Sequence, residues 1–300
     1  MMKNIKFTSS MLVALITVMT SCSKEENPLD NEQYIKQVFI VGANQSNNEG
    51  LSTVKLPYGK TADEEQVAYV AVGTGGSKSI DRNITVTLAE AGIEMVTRYN
   101  YLYRFGTDIR YQMLAPTLYA IPQKNVQVNS GDTYGTLPVY VKTAGLHCDS
   151  LYAVTVKIAS VSEPNYISIR KIDTVLMLSF ALSNAYSGSY QAQGKSYKFN
   201  AGLTDTTSVG LIRTMKATDY RTVRFYHLTT PESVVNAVES GVKVRIEDNN
   251  TLTVTPWGSL AITAGGGTYN PATRVFDLWY NYTVAGVTLQ FKGKFTRSEG

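Results

Sequence analysis

The sequence has little of the chemistry on which metal sites, redox centres and disulfide scaffolds depend. Its 300 residues include only two cysteines, two histidines and two tryptophans. Neither His147 nor His227 has further ligands at the spacing typical of zinc sites, so we predict no metal and no cofactor. After residue 21 no apolar run is long enough to span a bilayer, and we expect the chain beyond that point to be soluble.

An excess of charge of one sign is also lacking. Lys and Arg number 28 against 24 Asp and Glu, which gives a formal net charge of +4. The bases are scattered among acids and hydroxyl residues, whereas nucleic-acid-binding domains cluster theirs, so we expect no nucleic-acid partner. Catalytic signatures are absent too, because there is no Gly-x-Ser-x-Gly elbow and the glycine-rich run at residues 73–79 lacks the spacing of a phosphate-binding loop. The sequence therefore predicts a protein that is not an enzyme.

The amino terminus predicts export and lipid attachment. Two lysines precede an apolar stretch at residues 11–19, which is too short for a transmembrane helix but suits a signal peptide. The motif Met-Thr-Ser-Cys at residues 19–22 resembles a bacterial lipobox. We therefore predict that residues 1–21 are a lipoprotein signal peptide and that Cys22 is the lipid attachment site. Cys148 is then the sole remaining thiol, so no internal disulfide is expected.

The residues after the cysteine predict where the anchor faces. The polar run Ser-Lys-Glu-Glu-Asn at residues 23–27 resembles the signal that sends lipoproteins of Bacteroidetes to the outer face of the outer membrane. The same glutamates suit a solvated tether, which we place at residues 22–32 together with the acylated cysteine. We expect a lipid-anchored outer-membrane protein that faces the cell exterior, with a periplasm-facing anchor as the alternative.

The pattern of the remaining chain predicts a mainly β protein in two units. Turns separate runs in which apolar and polar residues alternate, and the 20 tyrosines suit pleated surfaces. We expect an immunoglobulin-like β-sandwich at residues 33–182, with one short helix between residues 91 and 105. A small antiparallel β-barrel or sandwich is expected to follow at residues 187–300.

Local features of the second unit give four further expectations. A helix is predicted at residues 231–239, with Thr230 as its N-cap. The glycine-rich run at residues 264–268 is predicted to be a turn between strands. His227 is predicted to lie near solvent or at a hydrogen-bonded edge. Ala285-Gly286 is predicted to close a hairpin between the last two strands.

The first unit carries a family resemblance. Residues 84–162, which include Leu-Ala-Glu-Ala at 88–91, the tyrosine-rich helix and Leu-Ala-Pro-Thr-Leu-Tyr at 114–119, resemble an N-terminal domain found in surface lipoproteins of Bacteroidetes. In some relatives this domain precedes a chitinase-like endoglycosidase barrel and in others a small β domain, and this chain resembles the latter. The resemblance implies membership of a glycan-acquisition system, with outer-membrane transporter components as partners. It carries over no catalysis, because the Asp-x-x-Asp-x-Asp-x-Glu pattern of those enzymes is absent.

The two tryptophans are the candidate ligand contacts. Sugar rings expose C–H groups that pack on flat aromatic faces, while their hydroxyls pair with Asn, Asp and Arg. Period two along residues 275–282 places Trp279 on the polar side of its strand, and Trp257 lies between Pro256 and Gly258 in a predicted turn. The alternative is that both tryptophans pack in a core or between domains. The candidate ligand-binding residues are Trp257, Trp279, Asp277, Asn281 and Arg274.

A second aromatic cluster lies in the first unit, and we expect it to be structural. Tyr99 and Tyr103 have helical spacing, which favours the core, and Tyr101 and Tyr111 lie nearby in the sequence. The leading hypothesis is a non-catalytic lipoprotein that binds glycan or glycoprotein for an uptake system. The alternative is a structural or adhesive component, a spacer or pilus-like subunit that contacts other proteins without binding sugar.

Overall fold

A computed structural model describes residues 32–43, 50–168, 170–199 and 206–298. The predicted signal peptide, Cys22 and nearly all of the tether lie outside the described residues. In the described part, no helix combines the length and the apolar character that crossing a membrane requires.

The first unit is a two-sheet sandwich. Its elements are β1 (Gln37–Ile40), β2 (Leu51–Pro57), β3 (Glu65–Gly75), β4 (Ile84–Glu90), α1 (Ile93–Tyr103), β5 (Tyr111–Met113), β6 (Tyr119–Ala120), β7 (Asn125–Val128), β8 (Tyr134–Lys142), β9 (Leu151–Val161) and β10 (Val175–Ser183). One sheet has the order β1-β3-β8-β6, and the other has the order β2-β10-β9-β4-β7 with β5 beside β9. Alternation creates the core between them, since Leu137, Val139 and Val141 of β8 are buried while their neighbours are not.

The second unit is a closed antiparallel barrel. Its elements are β11 (Gly188–Lys198), β12 (Thr206–Asp219), β13 (Thr222–Tyr226), α2 (Val234–Ser240), β14 (Gly241–Ile246), β15 (Thr251–Pro256), β16 (Ile262–Asn270), β17 (Val275–Val284) and β18 (Val287–Arg297). Each strand pairs with the next, and β18 returns to pair with β11. The predicted fold class is therefore confirmed: the chain is mainly β, with a sandwich that carries a short helix followed by a small antiparallel barrel.

Inward-facing side chains fill the interior of the barrel. On β17 the even-numbered residues point inward, and Phe276, Leu278, Tyr280 and Tyr282 are all buried. The cavity that remains beside Phe225 and Tyr280 is only about 10 Å³. Among the described residues this cavity is too small for a ligand, which favours a binding surface on the outside of the barrel.

Three local predictions for the barrel are wrong. The glycine-rich run at 264–268 lies within strand β16 and pairs with β17 rather than forming a turn. Helix α2 begins after Ser233, whose side chain accepts a hydrogen bond from the backbone of Asn236, so Ser233 and not Thr230 is the N-cap. His227 follows the last residue of β13 and is buried rather than near solvent, because its ring packs against Tyr280 and Tyr282 inside the barrel. The hairpin at Ala285-Gly286 is confirmed, and both residues have positive φ.

The two units meet at β12, at β13 and at the turn between these strands. Only residues 184–187 separate the last sandwich strand from the first barrel strand. Ala217 of β12 belongs to the buried core of the sandwich, and Tyr220 packs against it. The ammonium group of Lys60 lies 5.2 Å from the ring centroid of Tyr220. This side of the barrel is consequently covered, while the side formed by β16, β17, β18 and β11 is not part of this contact.

Candidate ligand-binding face on the barrel

The open side of the barrel presents a tryptophan among polar residues. Because Phe276, Leu278 and their even-numbered neighbours face inward, Asp277, Trp279 and Asn281 face outward. Trp279 is partly buried, and so are Asp277 and Asn281. We call the outward side chains of β16, β17, β18 and β11 around Trp279 the open face.

A glycine supports the indole of Trp279. Trp279 pairs with Gly266 of β16, and atoms of the indole lie 3.8 and 3.9 Å from where a Cβ of Gly266 would be. Since Gly266 has no side chain, the indole can lean over bare backbone, an arrangement by which aromatic residues cover glycines in sheets. The glycines at residues 264–268, which were predicted to form a turn, therefore form the backbone surface on which the indole lies.

Hydrogen bonds fix the polar side chains in the cross-strand row next to Trp279. Gln290 of β18 donates from Nε2 to Oδ1 of Asn281 at 2.8 Å. The hydroxyl of Tyr197 on β11 donates to Oε1 of the same glutamine. This chain crosses three strands, and it holds two amide groups at fixed positions beside the tryptophan, where they can pair with ligand hydroxyls.

Three lysines complete the open face. Lys292 of β18 pairs with Trp279, and Lys195 of β11 pairs with Lys292. Trp279, Lys292 and Lys195 therefore lie in one cross-strand row. One row away, Lys294 lies 3.8 Å from the carboxylate of Asp277. That pair is solvent-exposed and therefore weak, and Asp277 compensates the charge of Lys294.

The structure does not bring all five predicted ligand residues together. Asp277, Trp279 and Asn281 share the open face, whereas Arg274 lies in the turn before β17 with a φ of 55°. Trp279 is five positions further along the chain than Arg274, which corresponds to about 17 Å in an extended strand.

Trp257 lies at the contact between the domains. Its ring centroid is 5.8 Å from that of His147 in the sandwich and 5.0 Å from the guanidinium carbon of Arg224 on β13. The interdomain packing that was the alternative for Trp257 therefore describes its position, and the two tryptophans do not form one site.

A buried carboxylate closes this contact. Asp149 of the sandwich accepts hydrogen bonds from Arg224 at 2.6 and 3.0 Å and from Lys216 of β12 at 2.9 Å. Burial raises the pKa of Asp149, but the hydrogen bonds from the two cations outweigh burial and lower this pKa to about 2. Sequence reasoning missed this cluster, because 67 and 75 residues separate the partners and no local pattern links them.

Asp149 also belongs to a group that has metal-ligand geometry. The ligand atoms of His147, Cys148 and Asp149 lie within 4.8 Å of one another, although the sequence predicted no such set. Both carboxylate oxygens already bind Arg224 or Lys216, and two cations beside a site oppose a third. Burial raises the pKa of the Cys148 thiol to about 11, so the thiolate that metals prefer is disfavoured.

The tyrosine cluster of the sandwich divides into a buried part and an exposed part. Tyr99 and Tyr111 are buried, and their ring centroids are 5.3 Å apart, which confirms that Tyr99 belongs to the core. Tyr101 is 80% exposed and Phe105 is 66% exposed. These two side chains and Leu102 line a shallow cavity of about 740 Å³ at the end of α1. The sandwich therefore carries a second exposed aromatic surface, which we call the α1 surface.

Two family models match the chain, one for an N-terminal domain over residues 29–165 and one for a C-terminal domain over residues 174–296. No curated protein matches it in sequence. Solved structures with similar folds include a multidomain protein including DUF1735 from Bacteroides ovatus, which is 14% identical, with 86% of this chain and 93% of that chain covered and a TM-score of 0.58. They also include an auxiliary nutrient binding protein from Bacteroides thetaiotaomicron, which is 16% identical, with 85% of this chain and 92% of that chain covered and a TM-score of 0.58. A protein of unknown function from Bacteroides ovatus is 12% identical, with 88% of this chain and 95% of that chain covered and a TM-score of 0.63.

These identities establish a shared fold and nothing beyond it. The two family matches cover both units in order, and each of the three structures spans both of them. The resemblance to a Bacteroidetes N-terminal domain that residues 84–162 carry is thereby confirmed. One family model covers the N-terminal unit and the other covers the C-terminal unit, so the chain fits an uncharacterised two-domain protein of the kind found in Bacteroides.

Proposed function

We propose that this protein is a lipid-anchored surface protein that binds glycan or glycoprotein on the open face of its barrel, without catalysis, for an uptake system. The observation that carries the proposal is Trp279, whose indole lies over Gly266 and between hydrogen-bonding side chains. A sugar ring can stack on such an indole while its hydroxyls reach Asn281, Gln290 and Asp277. The fold shared with an auxiliary nutrient binding protein from Bacteroides thetaiotaomicron supports an accessory role by analogy.

The open face favours binding over hydrolysis. Glycosidases flank the scissile bond with two carboxyl groups that stand roughly 5–10 Å apart. Along the described cross-strand rows around Trp279, Asp277 is the only carboxylate, and its neighbours are lysines, amides and threonine. The face therefore offers contacts to a sugar but no acid and base pair.

Affinity electrophoresis or a glycan array tests the proposal with the two-domain chain from Ser23 onward. Trp279→Ala is expected to abolish retention while the melting temperature stays nearly unchanged. Tyr101→Ala is the control, because it removes an exposed aromatic ring from the other domain. If Trp279→Ala retains full binding to a sugar that the parent chain binds, the open face is not the site.

The anchor has its own test. Radiolabelled palmitate is expected to enter the full-length protein in cells, and Cys22→Ala should abolish labelling. Protease added to intact cells is expected to degrade the protein, since we place it on the outer face. Label that persists in Cys22→Ala would contradict the attachment site, and protection from protease would favour the periplasm-facing alternative.

A structural or adhesive role is the second candidate, and the α1 surface favours it. Tyr101, Leu102 and Phe105 are exposed together, and large exposed apolar patches mark contacts with other proteins. Capture of a stable outer-membrane protein by the parent chain, lost in a Tyr101→Ser and Phe105→Ser double variant and combined with no sugar retention, would favour this role over glycan binding.

A further inference from the structure

The open face contains an arrangement of charge that folding alone disfavours. Lys195 and Lys292 are directly opposite each other in the pairing of β11 with β18, and both side chains are exposed. Like charges directly opposite in an antiparallel pair repel and destabilise the sheet. Neither lysine forms an ion pair within the part of the chain that the structure describes. The pair therefore slightly destabilises the fold, and an anion bound between the two lysines would relieve the repulsion.

The uncompensated charge is confined to the row of Trp279. In the next row, Lys294 has Asp277 at 3.8 Å and is opposite the neutral Gln193. On the other side, Asn281, Gln290 and Tyr197 are neutral. The row of Trp279 is different, because its indole is followed by Lys292 on the neighbouring strand and by Lys195 on the strand after that. Adjacent strands are about 4.8 Å apart, so the backbones that carry Lys292 and Lys195 lie roughly 5 and 10 Å from the tryptophan strand.

The covered side of the barrel shows how the same set of groups is satisfied. There, Trp257 stacks with Arg224, and Lys216 lies beside Arg224 on the adjacent strand. The carboxylate of Asp149, supplied by the other domain, accepts hydrogen bonds from both cations. On the open face the tryptophan and the two cations are present, and no carboxylate of the described chain reaches them.

We propose that the open face binds acidic glycan, with a sugar ring on Trp279 and the carboxylate of a uronic or sialic acid residue between Lys292 and Lys195. The proposal rests on the glycan-binding function proposed above and specifies the class of ligand. Two lysines that converge on one anion lose their mutual repulsion when the anion binds. Lysine is a flexible point charge rather than a planar fork, so this site selects for negative charge more than for a particular acid.

Matched pairs of probes that differ only in charge test the proposal on the two-domain chain. One pair is polygalacturonate and its methyl ester, and the other is sialylated fetuin and the same glycoprotein after desialylation. Binding is measured by calorimetry or affinity electrophoresis at low and at high sodium chloride. At least one acidic probe is expected to bind roughly tenfold more tightly than its neutral partner at about 50 mM salt, and the preference should shrink at about 500 mM because salt screens exposed charges.

Substitutions locate the charge selectivity. The Lys195→Gln and Lys292→Gln double variant is expected to lose the roughly tenfold preference for the acidic probe and to bind the neutral probe as before. Lys294→Gln is the matched control, because it removes the same charge one row away, where Asp277 compensates it, and it should change binding less than twofold. The lysine variants relieve repulsion, so they are expected to fold.

The outcomes separate the two proposals. Equal binding of the acidic and neutral probes through Trp279 would overturn the acidic-glycan proposal and leave glycan binding intact. A preference that survives the double variant would overturn it as well. If no probe of either kind is bound, the acidic-glycan proposal is overturned and the proposed function loses its support together with it.

Discussion

Two sides of one barrel use similar residues to different ends. On the covered side Trp257, Arg224 and Lys216 meet Asp149 of the sandwich. On the open side Trp279, Lys292 and Lys195 meet no carboxylate within the described chain. On the covered side, a carboxylate of the protein compensates the two cations beside the aromatic ring. On the open side, the two cations remain available to another partner. The difference shows that the residue types of a site say less than whether their charges are already matched.

The largest expected effect breaks the covered side. Asp149→Ala leaves Arg224, which is 2% exposed, without its carboxylate, and loss of one partner of a buried ion pair costs about 3–5 kcal/mol. We expect the free energy of unfolding in urea to fall by that amount. Asp277→Ala on the open face is the control, since its pair with Lys294 is exposed and should contribute less than about 1 kcal/mol. Equal effects would remove the distinction between the two sides.

A buried histidine inside the barrel should make the stability of the protein depend on pH, independently of the two sides. His227 is buried, and its Nδ1 lies 2.9 Å from the hydroxyl of Tyr280. Burial and the nearby Arg213 lower its pKa to about 4. The folded state therefore resists protonation that the unfolded state accepts below its ordinary pKa near 6.5.

Stability contributed by a neutral His227 is complete above about pH 6.5 and is lost as the pH falls towards 4, by roughly 2–3 kcal/mol. His227→Asn is expected to flatten this window in urea denaturation curves. Below it, the depressed pKa of Asp149 predicts a further loss as the pH falls from about 4 towards 2, and Asp149→Ala should lack that loss. An unchanged profile in His227→Asn would contradict the assignment of the upper window.

Exchanging the roles of the two tryptophans tests the comparison at smaller scale. Trp257→Ala is expected to lower the free energy of unfolding by roughly 1–2 kcal/mol, because it removes the ring that stacks on Arg224. Its effect on glycan affinity should be small. Trp279→Ala should show the reverse pattern in calorimetry and thermal denaturation, and the same pattern in both variants would contradict separate roles.

The smallest expected effect concerns the repelling lysines. Lys195→Gln removes a like-charge pair opposite Lys292 and is expected to raise the free energy of unfolding by a few tenths of a kcal/mol at low salt. The gain should vanish at high salt, because salt screens the repulsion. Lys294→Gln, which removes a compensated charge, should give no gain. A loss of stability in Lys195→Gln at low salt would show that this lysine has a structural partner.

Period-two alternation was sufficient to predict the inward and outward sides of β17. It therefore predicted that Trp279, Asp277 and Asn281 share one face of the strand. It failed for β16, since glycines weaken every local signal of a strand and only pairing with β17 defines that segment. The position of Trp257 depends on Arg224 and on a domain distant in sequence, so no local pattern contains it. The pairing of Lys292 with Lys195 likewise depends on the register of β11 and β18. That register cannot be predicted from either strand alone, so the uncompensated charge could not be predicted either.

Because the chain has only two tryptophans, fluorescence can report on each side of the barrel separately. In Trp257→Phe the emission comes from Trp279 alone, and in Trp279→Phe it comes from Trp257 alone. Titration with the acidic polysaccharide or glycoprotein is predicted to give a saturable, salt-sensitive change in Trp257→Phe and none in Trp279→Phe. A saturable change in Trp279→Phe alone would place the ligand at the covered side and contradict the account.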